Sequence, residues 1–245
     1  MTDYSLVSSA FGYALMAALG NVIGALAVTR RSTRELAVIE HSLAFGAGFM
    51  LAVGIVEVLP EAFARSGAVA PALVLAGYLA VHLTQHTLTP HFHFGEETHP
   101  VNPAAGPSAL IGLLLHTFFD GVAIASAFQV RPSLGLMMFI AIFLHKLPEG
   151  VTISSLYLAV GRSGRQAIGA GALLGLATLI GVVLTDKVGF LVRHGLAISA
   201  GVTIYVAASN LVPEFQGKRG WASPLAFVGG AAAFFVTKMI LEHAT

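Results

Sequence analysis

The 245-residue chain has no cysteine, which excludes disulfides, thiolate metal sites and cysteine nucleophiles. Charge is scarce too: Asp, Glu, Lys and Arg make up 10% of residues, against about 25% in soluble domains. No basic run occurs and the net charge is +1, so no nucleic-acid partner is expected. A His-Glu-x-x-His segment, the helical signature of zinc hydrolases, is also missing. In place of charge stands apolar bulk, with 56% hydrophobic residues and a mean hydropathy of +0.82. That composition specifies an all-α integral membrane protein, a single polytopic domain over residues 1–245 whose solvent is the lipid bilayer.

A bilayer-crossing helix needs about 20 apolar residues. Eight runs qualify, near 5–29, 37–63, 69–89, 108–129, 133–159, 165–187, 195–216 and 221–242. The first lacks a positive leading region and is long enough to span, so no cleavable signal peptide is expected. Loops one, five and seven hold seven basic residues (Arg30, Arg31, Arg34, Arg162, Arg165, Lys218 and Arg219). The even-numbered loops hold Arg65, Arg131, Lys187 and Arg193. By the positive-inside tendency both termini lie outside the cytoplasm of a plasma membrane, a bacterial inner membrane being expected.

Chemistry concentrates in the fourth and fifth runs. One reads His116-Thr117-Phe118-Phe119-Asp120-Gly121, the other His145-Lys146-Leu147-Pro148-Glu149-Gly150. In each, an imidazole precedes a carboxylate by one helical turn, so the pair shares a face. Ionisable groups inside apolar helices cost about 2.5–3.5 kcal/mol each and mark functional sites. Two imidazoles and two carboxylates, His116, Asp120, His145 and Glu149, suit Zn2+ and tolerate Fe2+, Mn2+, Co2+ or Cd2+; no organic cofactor is implied. Pro148 removes a backbone donor and is expected to kink helix five beside Glu149.

Two further features frame that site. Ala47-Gly48, Val53 and Pro60-Glu61 recur 153 positions later as Ala200-Gly201, Val206 and Pro213-Glu214. The two His/acid turns are themselves 29 positions apart. In an eight-helix count both pairs are antiparallel, which predicts inverted-repeat pseudosymmetry around a central helix four/helix five pair, the architecture of secondary transporters. Glu57, one turn before Glu61 and deep in its run, is a further candidate ligand; Asn210 and Glu214 occupy the matching places in helix seven. The segment 82–107 reads as a His-rich, flexible cytoplasmic loop. Its His86, His91, His93 and His99, beside His82, Glu96 and Glu97, are candidates for metal capture.

These residues resemble the ZIP (Zrt/Irt-like) metal transporters, which carry His-Asn-x-x-Asp/Glu-Gly on helix four and His-x-x-Pro-Glu-Gly on helix five. The likeness extends to Leu59-Pro60-Glu61, to the end of helix seven and to the His-rich third loop. It implies eight helices and import of Zn2+ or a similar ion into the cytoplasm. It also implies a primary metal site of His116, Asp120, His145 and Glu149, with Glu57 where some members donate a ligand. Departures from the family pattern agree with one another. Thr117 stands where many members have Asn, Lys146 where many have an acid or Asn, and helix six has no acid between Gln166 and Thr185. We infer one metal rather than two, with the Lys146 ammonium substituting for the second cation. Alternating access is the expected mechanism. The rivals are a channel-like metal conduit, an intramembrane zinc hydrolase and a metal store based on loop three; the preferred ion, proton coupling and a homodimer are left open.

Overall fold

The computed structural model describes residues 3–30, 36–88, 105–216 and 220–243. All regular elements among them are helical: α1 (Asp3–Arg30), α2 (Leu36–Ala52), α3 (Leu59–Ser66), α4 (Ala70–Leu88), α5 (Ala105–Val130), α6 (Pro132–Ala159), α7 (Gly164–Lys187), α8 (Gly189–Tyr205), α9 (Pro213–Gln216) and α10 (Ala222–His243). Predicted helices four and five are thus α5 and α6. Helix seven starts six residues earlier than expected, at Gly189. Arg193 and His194 lie inside it, and His194 Nδ1 meets Ser66 Oγ at 3.0 Å.

Among the described residues, seven stretches are long and apolar enough to cross a bilayer. Eight were expected, and the difference lies in one stretch, His41–Thr87, of 47 residues. It holds both predicted helices two and three, joined through a short 3-10 turn at Gly67–Val69 whose first residue has φ +58°. A straight helix of that length would reach about 70 Å, more than twice the hydrocarbon thickness of about 30 Å. Glycine at positive φ supplies the break. The side chains turned to lipid are apolar, as on α10 with Leu225, Val228, Phe235, Val236, Met239 and Ile240 all exposed.

Prolines shape two of the helices alike. Val53–Val58 and Val206–Leu211 are π-helical turns, with Leu59 N–H donating to the Gly54 carbonyl and Val212 N–H to the Ala207 carbonyl. Pro60 and Pro213 follow directly. A proline ring clashes with the carbonyl four residues back, and a widened turn ahead of it relieves that clash. In α6, by contrast, the helix stays α-helical through Pro148.

The helices pack in two groups. In one, α1 lies against α6 and α7, and α5 against α6 and α7; in the other, α2 lies against α10 and α4 against α8. Contacts of α5 with α8 and α4, and of α2 with α6, join them. In lipid no hydrophobic force separates helix from solvent, so small residues drive close packing. A Cβ on Gly24 would strike the Leu147 carbonyl and one on Gly150 the Asn21 carbonyl. Gly121 and Gly181 stand in the same reciprocal relation to the Thr178 and Phe118 carbonyls. In the second group Gly48 meets Phe227 and Gly230 meets Phe45, while Gly201 meets Val74 and Gly77 meets Ile198. These last two sets are offset by the same 153 positions as the sequence motifs.

Candidate metal centre

The centre is built where α5 and α6 cross inside the first group. His116 and Asp120 project from one turn of α5, and His145 and Glu149 from one turn of α6. All four are buried, none more than 8% exposed. The contacts run crosswise. His116 Nε2 lies 2.9 Å from Glu149 Oε1, and His145 Nε2 lies 3.4 Å from Asp120 Oδ2. One ligand atom from each residue lies within 4.8 Å of all the others. A metal with bonds of about 2.0–2.2 Å bridges such a spacing with small side-chain adjustments.

Hydrogen bonding leaves donor atoms of these groups available to an ion. His145 Nδ1 sits 3.2 Å from the Ala141 carbonyl. A proton there leaves Nε2 with its lone pair toward Asp120, and such a backbone anchor is the usual support of a ligating imidazole. On the other side, Glu149 Oε1 has no hydrogen-bond partner among the described residues although His116 Nε2 is 2.9 Å away. His116 Nδ1 is also buried without a hydrogen-bond partner among the described residues. Buried polar atoms are seldom left so, and both belong to groups that take a cation.

Lys146 completes the arrangement. It is fully buried, with Nζ 2.7 Å from Asp120 Oδ2 and 2.9 Å from Glu149 Oε2. One ammonium therefore bridges the two carboxylates that carry the site's negative charge. Thr117 takes no part: its hydroxyl donates to the Leu113 and Leu114 carbonyls of its own helix, both at 3.1 Å. Asn21 of α1, fully buried, was not anticipated from the sequence. With its amide nitrogen toward the acceptors around it, it donates to Glu149 Oε2 at 3.2 Å and to the Lys146 carbonyl at 2.5 Å.

Glu57 lies apart from these four. Its buried carboxylate meets Arg131 Nη2 at 2.5 Å and also pairs with Lys238 Nζ. Arg131 Nη1 reaches Glu61 at 3.4 Å, and Lys238 reaches Glu242 at 3.8 Å. Arg131 is the single residue between α5 and α6, so this ion-pair hub ties the turn joining the site's two helices to α10 and to the π turn after α2. Glu57 lies 74 positions from Arg131 and 181 from Lys238, too far along the chain for sequence spacing to pair them.

The His-rich segment begins inside a helix. His82 and His86 belong to the last turns of α4, their rings stacked 4.2 Å apart, with Tyr205 Oη 3.5 Å from His86 Nδ1. His91, His93 and His99, with Glu96 and Glu97, lie outside the described residues, as does the side chain of Glu214. Asn210 is half-buried on the second π turn.

A buried centre that joins two imidazoles and two carboxylates across neighbouring apolar helices defines a membrane protein able to hold a divalent metal ion between its helices. Residues 96–238, more than half of the chain, match the family model of the ZIP zinc transporter. The chain belongs to the ZIP zinc transporter family, a family of divalent metal transporters. No curated protein matches it.

Proposed function

We propose that this protein carries Zn2+ into the cytoplasm by alternating access, through one intramembrane site ligated by His116, Asp120, His145 and Glu149. The observation that carries this reading is the crosswise set itself: two imidazole nitrogens face two carboxylates of the opposite helix, all buried. Two negative charges offset the double charge of the ion in a low-dielectric setting, and imidazole with carboxylate is the donor mixture zinc accepts. Because the ligands must be free of protons, binding and proton release are linked.

Lys146 makes this a one-metal site, its ammonium standing where a second cation would balance the carboxylates. Glu57 serves as an ion-pair hub rather than a ligand. The His-rich segment, including His86, His91, His93 and His99, captures metal at the cytoplasmic side. The chain crosses the membrane eight times, with the break at Gly67 dividing helices two and three and both termini non-cytoplasmic in a bacterial inner membrane. Supporting an inverted repeat are the reciprocal glycine contacts and the paired π turns, each offset by 153 positions. The two packing groups are the natural rigid parts for rocking or sliding around the site.

Uptake into proteoliposomes tests the proposal, comparing wild type with His145→Ala for Zn2+, Fe2+, Mn2+ and Cd2+. Saturable zinc uptake with trans-stimulation, lost in the variant, is expected. A voltage-driven, non-saturating flux would replace the carrier with a conduit, and absence of uptake by the wild type for all four ions would end the transport reading.

A further inference from the structure

Asn21 is the only uncharged side chain outside α5 and α6 that the described structure bonds to a ligand carboxylate. Its backbone is wedged in place: a Cβ on Gly150, the residue after Glu149, would strike the Asn21 carbonyl, and one on Gly171 of α7 would lie 3.0 Å from the same atom. Helix α1 therefore brings this amide to a fixed point between the metal-site helix and α7. Only one orientation of the amide is compatible with its surroundings. Its nitrogen faces two acceptors, Glu149 Oε2 and the Lys146 carbonyl, which the amide oxygen could not satisfy.

The effect on Glu149 is specific. Its Oε2 accepts from both Lys146 Nζ at 2.9 Å and Asn21 Nδ2 at 3.2 Å, while Oε1 lies toward His116 without a hydrogen bond. Two donors on one oxygen leave the other as the free ligand atom, and a carboxylate held that way is a one-oxygen donor. A small four-coordinate ion such as Zn2+ needs one oxygen from each acid. Larger cations form longer bonds, take more donors and gain from a carboxylate that can turn both oxygens inward. Lys146 alone could not fix this geometry, since a flexible ammonium stem is a point charge that follows the carboxylate as it turns.

The geometry points to Asn21 as a positioning residue for ion selectivity, holding Glu149 to one-oxygen coordination and so favouring Zn2+ over larger divalent ions such as Cd2+. This rests on the transport reading of the same site. It is tested with full-length protein reconstituted as wild type, Asn21→Ala and Asn21→Leu. Alanine is the best helix former and already occupies positions 17, 18 and 25 of α1; leucine keeps the volume without a donor. Hydrogen bonds to charged groups contribute enough that KM for Zn2+ is expected to rise about tenfold in both variants. KM for Cd2+ is expected to change less, so the Zn2+/Cd2+ preference falls. A merely structural role would lower Vmax for both ions alike and leave the preference intact, which would overturn the inference. A second measurement needs no variant. The infrared difference spectrum of wild-type protein on adding Zn2+ is expected to show only singly coordinated carboxylate, and a doubly coordinated band would overturn the inference as well. Wild-type protein that transports no ion would instead remove the transport reading, a separate outcome from an unaltered preference in a working transporter.

Discussion

Replacing Lys146 by methionine removes the ammonium and keeps most of the stem's volume. Nζ contacts Asp120 Oδ2 at 2.7 Å and Glu149 Oε2 at 2.9 Å. At an effective dielectric of about 20 each attraction is about 6 kcal/mol, offset by several kcal/mol for burying each ion. Removing one member of such a buried set destabilises by about 3–5 kcal/mol, so the metal-free variant should unfold at a lower temperature. Zinc binding should change in the opposite direction. An ion bonded to the same two carboxylates at about 2.0–2.2 Å sits roughly 4–5 Å from Nζ. The repulsion there between a divalent ion and an ammonium is about 7 kcal/mol at the same dielectric, a ceiling that bending of the Lys146 stem away from the ion reduces. Even a fifth of it, about 1.4 kcal/mol, is a tenfold change in Kd.

The expected result is therefore a less stable empty protein that binds zinc at least tenfold more tightly. Its thermal shift on adding zinc should exceed that of wild type, and it should turn over more slowly because release is harder. Competition titration with a chromogenic chelator measures the first quantity, and melting with and without zinc the second. Both use a background in which His86, His91, His93 and His99 are replaced by serine. A folded Lys146→Met protein with unchanged or weaker zinc affinity would show that the ammonium is not a stand-in for a second cation. Two tight equivalents per wild-type core would refute the same reasoning from the other side.

Glu57→Gln should leave core zinc affinity within about twofold while lowering the melting temperature, since the side chains it releases, Arg131 and Lys238, are 41% and 29% exposed and water recovers part of the loss, leaving about 1–2 kcal/mol. A hundredfold loss of affinity would make Glu57 a ligand after all. Gly150→Ala should impair folding or transport because its Cβ meets the Asn21 backbone, whereas Gly169→Ala, with nothing within 4 Å, should be neutral or stabilise by about 0.5–1 kcal/mol; equal effects would mean that the α1–α6 contact is looser than described. The chain has no cysteine, so single cysteines report topology without background. Ala68→Cys, in the exposed turn after α3, should react with an impermeant maleimide from outside intact cells. Arg162→Cys, in the exposed turn after α6, should react only after permeabilisation, and labelling of both from one side would refute the eight-crossing order.

The spans and the two His/acid turns were legible because their information is local. Apolar length sets a crossing, and a spacing of four puts an imidazole and an acid on one face without reference to the rest of the chain. What that rule does not give is who meets whom. His116 shares a turn with Asp120, yet its near contact is Glu149, and His145 shares a turn with Glu149 yet faces Asp120. Side chains one turn apart point in parallel toward a neighbouring helix, so where two such turns cross, each His finds the other helix's acid. The π turns were hidden for a related reason: nothing in Val53–Val58 marks them, and their cause, a proline ring needing room behind it, acts backward along the chain.

Asn21 shows where local reading stops. It is one amide in a helix of alanine, glycine and leucine, with no repeat, no charged neighbour and no turn partner of its own. Its role comes from reciprocal contacts, Gly24 against Leu147 and Gly150 against Asn21, that bring backbones close enough for a short side chain to reach a carboxylate 128 positions away. The same contacts explain why a neutral residue can occupy that place. In a dry site already holding two acids and an ammonium, another charge would add a desolvation penalty of several kcal/mol, whereas an amide donates without adding to the charge an incoming ion must balance. Selectivity by such a group depends on how closely α1 is held to α6. Loosening the glycine contacts should therefore relax the ion preference before it abolishes transport, with Gly24 the residue through which to measure it.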